Sequence, residues 1–235
     1  MKSVDTSLHH YFFPNINEDG WKFISLLAFL SLILAIIWFP AACFSFLITV
    51  WCFYSFRDPV RVTPVLSSAV IAPADGCIIA ITREKGPDVL GLNKKNYTKI
   101  SIYINPFAVN INRIPVKGTI SKIFYDAGKT ISGSFNKNDI NNEKMLFALR
   151  HSSGTEFVLQ QTSLFCSRRI VDKFKKGDEF MAGQRFGFIR FGSYLDLYLP
   201  EKIEPQVCVG QYLIGGETIV ADIKSDAPRL EGEIR

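Results

Sequence analysis

The chain has 235 residues, a formal net charge of +5, and 48% hydrophobic against 21% charged residues. That length holds one medium domain plus an appendage. The mild basic excess contains no run of five or six like charges, so it gives no ground for a nucleic-acid partner and suits an anionic lipid surface. Cysteines stand scattered at Cys43, Cys52, Cys77, Cys166 and Cys208 with no CxxC spacing. A disulfide framework or structural metal site is therefore not expected, and a reducing compartment is. Histidine is scarce, with only His9, His10 and His151.

In chain order, a tail over 1–22 leads into residues 23–56, which include no charged residue. A bilayer span needs about 20 apolar residues, and Pro40 divides this run into halves of about 16 or 17. Trp21, Trp38, Phe39, Trp51 and Tyr54 suit interfacial depths. The expectation is a membrane-associated helical hairpin, dipping in or spanning as a short pair. Lys22 before it and Arg57 and Arg61 after it place both ends on the cytoplasmic side of the cell membrane. A cleaved signal peptide would want a shorter apolar core and a polar mature start, and neither is present.

From residue 57 to 235 the character changes to short β-branched and aromatic runs between glycine and polar turns. Strands are expected over 99–104, 118–125, 156–161, 186–191, 195–199 and 218–223, with one short helix over 138–149. The soluble part is thus mainly β. Two stretches echo one another, 176–189 (KGDEFMAGQRFGFI) and 207–220 (VCVGQYLIGGETIV). Each reads as strand, tight turn, strand, with glycines where the backbone needs positive φ. This is the unit of biotinyl- and lipoyl-type barrel sandwiches, and 74–79 offers a third such turn. No lysine sits in a carrier-type turn, so the hairpins are structural.

The segment RFGSYLDLYLP at 190–200 contains Gly192-Ser193. Such a dipeptide is common, and it acquires chemistry only where the bond is strained. Glycine admits a distorted backbone, and the Ser193 hydroxyl lies beside the preceding carbonyl. Its attack would turn the amide into an ester. Elimination and hydrolysis would then leave a pyruvoyl cap, an electron sink for a substrate amine.

Around that dipeptide stand FRDP at 56–59, APADG at 72–76, VNINRIPVKG at 109–118, RRIV at 168–171, RFGFIRFGSYLDLYLP at 185–200 and VGQYLIGGETIVA at 209–221. In this order, the chain resembles the phosphatidylserine decarboxylase proenzymes of the short bacterial and archaeal type. The resemblance covers most of 56–221 and implies a β-rich pyruvoyl decarboxylase domain over 57–235. Cleavage after Gly192 would give a β chain of 1–192 and an α chain of 193–235, with a covalent pyruvoyl group derived from Ser193 as the sole cofactor and no metal. The substrate it implies is a membrane phospholipid, phosphatidylserine, taken to phosphatidylethanolamine and carbon dioxide.

Residue by residue, Asp75 matches the acid that helps activate the serine. Arg113, Arg168 and Arg169 are candidates for holding the substrate's phosphate or carboxylate, and the two adjacent arginines would face opposite sides of a strand. Asn136, Asn142 and Glu143 match a family segment to which no role is assigned. The family usually reads Val-His-Val-Asn-Arg where this chain has Val109 to Arg113, so Asn110 replaces the histidine expected as proton carrier. Asparagine orients but does not transfer a proton near neutral pH. Three readings stay open: Asp75 with water suffices, His151 or another group reaches the site, or the chain is a poorly processed or inactive membrane scaffold of the same fold.

Overall fold

The computed structural model describes residues 15–129, 136–164, 169–172, 174–191 and 193–225. The chain separates into two compact units, one up to Val60 and one from Arg61 onward.

The first unit is a helical hairpin. Helix α1 (Glu18–Ile37) starts at Asn17, whose side chain accepts from the Asp19 N–H, and Glu18 and Asp19 complement the positive end of the helix. Helix α2 (Phe39–Ser55) begins beyond an extended Trp38, with Pro40 in the first turn where its missing N–H is harmless. Pro40 therefore starts the second helix rather than bending a long one. The helices pack through small and polar residues, with Ser31 Oγ 2.9 Å from Ser45 Oγ and Thr49 bonded back to the Ser45 carbonyl. Their outer surfaces are apolar: Ile36 is 89% exposed, and Leu26, Phe29, Phe44 and Leu47 are exposed with it. At about 1.5 Å per residue, the 20 residues of α1 span about 30 Å, and the helix is long and apolar enough to cross a membrane. A two-residue ladder of β1 (Asn15–Ile16) with β2 (Arg57–Asp58) ties entry to exit, so both ends of the hairpin lie on one side.

The second unit is mainly β. Its strands are β3 (Ala69–Ile71), β4 (Gly76–Lys85), β5 (Asn96–Ile104), β6 (Ile111–Arg113), β7 (Gly118–Asp126), β8 (Glu143–Arg150), β9 (Glu156–Ser163), β10 (Ile170–Asp172), β11 (Glu179–Phe180), β12 (Arg185–Ile189), β13 (Ser193–Pro200), β14 (Tyr212–Leu213) and β15 (Ile219–Asp222). Eight form one antiparallel sheet in the order β11-β7-β8-β9-β13-β5-β4-β14, and β10-β12-β6 and β15-β3 form smaller sheets. The arrangement is sandwich-like, with no closed barrel among these strands.

Alternation along β13 shows how the sheet is filled. Ser193, Leu195, Leu197 and Leu199 face the main core, where Phe147 meets Phe186 of the three-stranded sheet at 5.0 Å. Tyr198 lies on the opposite face in a second cluster with Leu90, Leu92, Tyr97 and Val158. Both faces are thus buried, and that explains the one misread element. The helix expected over 138–149 is instead a turn followed by β8, which pairs with β7 and β9. A strand covered on both sides carries a continuous apolar run, MLFAL at 145–149, which periodicity cannot tell from a helix.

The echoing hairpins do carry left-handed glycines, with φ of 96° at Gly177, 77° at Gly183, 90° at Gly210 and 84° at Gly216. The third, at Gly76, is different: a Cβ there would lie 2.3 Å from the Tyr103 carbonyl oxygen, so glycine answers a close approach of strands.

Candidate active site

Strand β12 ends at Ile189, and the chain turns through Arg190 and Phe191 before β13 starts at Ser193. Phe191 has φ of 62°, and among the described residues it is the only non-glycine at positive φ. A bulky L-residue in that region is strained by about 1–2 kcal/mol. Gly192, the residue that follows, lies outside the described residues. Ser193 is 4% exposed; its Oγ accepts from the Leu164 N–H at 3.1 Å and donates in close contact to the Thr162 carbonyl. Fixed between β5 and β9 by the ladder on each side, Ser193 would stay in place after a cut before it. The buried, strand-held seat of Ser193 therefore fits a pyruvoyl group at this position.

Asp75 immediately precedes β4. Its Oδ2 accepts from Arg61 Nη2 and its Oδ1 from the Gly215 N–H, both at 2.7 Å. It is 7% exposed. One step beyond the Cys77–Tyr103 and Tyr194–Tyr103 pairs, Gly76 and Ser193 flank Ile104 from either side. At about 4.8 Å per strand, Asp75 is thus roughly 10 Å from the serine backbone. Arg61, read from sequence only as a topogenic charge, proves to be the acid's partner. The sequence held no signal for that pairing beyond a basic residue near the domain start.

Arg113 is buried; its Nη1 donates to the Gly183 carbonyl at 3.1 Å, and its side chain fills the space that a Cβ on Gly216 would need. The main-chain bonds from Arg113 N to Pro73 O and from Ile71 N to Pro115 O run this segment antiparallel to residues 71–73. The chain back to Asn110 therefore passes beside the chain on to Asp75. Asn110 is 3% exposed, and its carbonyl accepts from the Ile189 N–H. Asp75, Asn110, Arg113 and Ser193 are thus gathered at one end of the β4-β5-β13 region. Arg168 lies outside the described residues, while Arg169 lies beside the turn: its guanidinium donates to the carbonyls of Leu164, Arg190 and Phe191.

His151 does not join them. It occupies the turn after β8, with Nδ1 2.8 Å from Ser153 Oγ, whereas Glu143, at the other end of that strand, pairs with Ser163 beside Ser193. Seven steps of about 3.4 Å put Arg150, the residue before His151, about 24 Å along the strand from that row. A cavity of about 670 Å³ lined by Lys117, Arg150, His151 and Met181 belongs to the same remote end. His9 and His10 lie outside the described residues.

A buried polar cluster on the core face beside Ser193 includes Asn142 and Glu143, to which sequence reasoning assigned no role. Glu143 Oε2 accepts from the Arg169 and Ile170 N–H groups at 2.8 and 3.3 Å, and Oε1 accepts from Tyr125 Oη at 2.8 Å. Asn142 ties the preceding turn by donating to the Asn136 carbonyl at 2.8 Å. With the Gln161 amide oriented so that its oxygen accepts from Asn112 Nδ2 at 2.8 Å, its nitrogen donates to both Asp172 oxygens at 3.1 and 3.2 Å. Asp172 crosses Gly187 to get there, where a Cβ would meet its Oδ1 at 2.2 Å. Burial pushes the Asp172 carboxyl up to about 7, the Gln161 hydrogen bond opposes this, and the Glu143 charge adds to it.

The unfolded chain ionises this carboxyl near pH 4. The fold therefore holds the extra proton between about 4 and 7, and stability falls as pH rises through that window. We expect Asp172→Asn to flatten this slope and to raise stability at pH 8 by an amount on the order of 2–4 kcal/mol. Thermal unfolding at pH 5 and pH 8, in a Ser193→Ala background, checks it. An unchanged slope would assign the pH dependence elsewhere.

A buried hydroxyl beside a strained main-chain turn, with a held carboxylate nearby, is thus set on a β-sandwich. The family model of phosphatidylserine decarboxylase matches residues 48–221. The chain is 41% identical over 235 residues to a phosphatidylserine decarboxylase proenzyme of Paramagnetospirillum magneticum, covering 100% of this chain and 98% of that one. It is 38% identical over 224 residues to that of Cereibacter sphaeroides, covering 95% and 97%, and 39% over 214 residues to that of Beijerinckia indica, covering 91% and 92%. The chain belongs to the phosphatidylserine decarboxylase family.

Proposed function

We propose that the chain cuts itself between Gly192 and Ser193 and then, as a pyruvoyl-dependent lyase, converts phosphatidylserine to phosphatidylethanolamine and carbon dioxide at the cytoplasmic face of the cell membrane. The observation that carries the reading is the seat of Ser193, buried, held by Thr162 and Leu164, and directly beyond the left-handed Phe191. The names of the relatives support the substrate, and the apolar outer surface of the α1–α2 hairpin supports the bilayer as the place where it is met. Residues 1–22, 23–56 and 57–235 are the tail, the membrane segment and the catalytic domain.

In the cut, Ser193 Oγ adds to the Gly192 carbonyl carbon and the peptide C–N bond breaks, giving an ester and a free amine at residue 193. Loss of the Ser193 α-proton expels the Gly192 carboxylate and leaves a dehydroalanine. One water then replaces its nitrogen, which departs as ammonia, and the pyruvoyl cap remains. Asp75, oriented by Arg61 and Gly215, is the base of this sequence, working through water beside Asn110. When formed, the pyruvoyl group would supply an electron sink for the pair left on the substrate's Cα as its bond to the carboxylate breaks. Arg113 and Arg168 are the candidate contacts to the substrate's anionic groups, whereas the Arg169 guanidinium is engaged by three main-chain carbonyls.

The test is mass spectrometry of the purified full chain, with carbon dioxide release from phosphatidylserine vesicles. Two fragments, the smaller beginning with a pyruvoyl group at position 193, together with release of carbon dioxide, are expected. An intact, inert chain would instead favour a membrane scaffold, the reading that Asn110 keeps open. Phe191→Gly tests the turn: glycine adopts this φ freely, so relief of about 1–2 kcal/mol should slow cleavage about 5- to 30-fold. A cleavage time course at unchanged rate would show that the strain does not drive the cut.

A further inference from the structure

We propose that Arg169 is a positioning residue for the self-cleavage, a clamp that holds the turn before Ser193 in its left-handed conformation; the inference rests on the reading that the chain cuts at Gly192-Ser193. Strain at Phe191 persists only if its surroundings enforce it. Arg169 Nε and Nη2 both donate to the Arg190 carbonyl, at 2.8 and 2.5 Å, and Nη2 also donates to the Phe191 carbonyl at 2.8 Å. Nη1 donates to the Leu164 carbonyl at 2.7 Å. One planar guanidinium thus joins the strand end that supplies Ser193's hydrogen-bond donor to the two peptide groups preceding Gly192.

The clamp is itself fixed. Arg169 N–H donates to Glu143 Oε2 at 2.8 Å, the Arg169 carbonyl accepts from Arg190 N–H at 3.0 Å, and Glu143 is buried at the start of β8. Charge-assisted bonds of this kind are about twice as strong as neutral ones. The guanidinium stays protonated throughout and transfers nothing. Its role is to keep the Gly192 carbonyl presented to Ser193 Oγ, and an anionic substrate group could take it only by displacing these carbonyls.

Lysine keeps the charge but cannot span three carbonyls with one planar group. In the full chain we expect Arg169→Lys to slow the appearance of the two fragments roughly 10- to 100-fold, the scale of losing one or two charged hydrogen bonds. Thermal unfolding of Arg169→Lys in a Ser193→Ala background should differ little from Ser193→Ala alone. The fraction that does mature should show an unchanged KM for phosphatidylserine vesicles. Cleavage at the wild-type rate, or a raised KM with normal cleavage, would overturn the clamp and return Arg169 to substrate binding. A wild-type chain that stays intact would instead take down the underlying reading.

Discussion

Ser193→Ala is expected to leave a single 26.5 kDa chain that releases no carbon dioxide from phosphatidylserine. The variant removes the oxygen bonded both to the Leu164 N–H and to the Thr162 carbonyl, and with it the atom that would attack Gly192. Ser163 is its neighbour across the ladder, one step beyond the Tyr194–Thr162 pair, but it does not follow a Gly192 carbonyl in sequence and cannot make the five-membered approach that an N-to-O shift needs. The fold should tolerate the change. Two hydrogen bonds are lost at a buried position, a cost on the order of 1–3 kcal/mol, while β13 keeps its ladder to β5 and β9. Intact mass and carbon dioxide release measure the outcome, and a Ser193→Ala chain that still divides at 192–193 would remove the serine from the mechanism.

Asp75→Asn should have the next largest effect, slowing cleavage about 100- to 1,000-fold, within the range seen when a general acid or base is removed. The carboxylate is held at 2.7 Å by Arg61 and at 2.7 Å by the Gly215 N–H, so its lone pairs are aimed rather than averaged. Asparagine keeps one acceptor for Gly215 but turns an amide or a neutral oxygen toward Arg61. Breaking a pair this buried also costs stability, about 3–5 kcal/mol at the upper end. Arg61→Gln therefore serves as the companion: it breaks the pair and leaves the carboxylate. If Arg61→Gln melts early yet still cleaves, while Asp75→Asn does not cleave, the acid acts in the chemistry. Equal cleavage by Asp75→Asn and wild type would remove Asp75 from it.

Local information was enough for much of this protein. The uncharged run 23–56 could bury itself only in a helical hairpin or a bilayer, although the first helix starts earlier, at Glu18, within the expected tail. Glycines at 177, 183, 210 and 216 announced their turns because few other residues accept positive φ. The run 145–149 misled, because a strand covered on both faces loses the alternation that identifies it.

The site divides in the same way. Ser193, Asp75 and Asn110 could be named from motif order, since each lies within a few residues of a recognisable segment. Phe191's backbone angle could not, because neither phenylalanine nor its neighbours ask for φ of 62°. It is imposed by Arg169, which is anchored by Glu143 from another strand. The Arg61–Asp75 pair and the Asn112–Gln161–Asp172 chain likewise depend on the tertiary fold, which places residues 11 to 49 positions apart within hydrogen-bond reach. The linear chain thus determined which atoms are available to react at Gly192-Ser193. Only the tertiary structure decided how they are held, because strain and burial exist where distant strands meet and nowhere else.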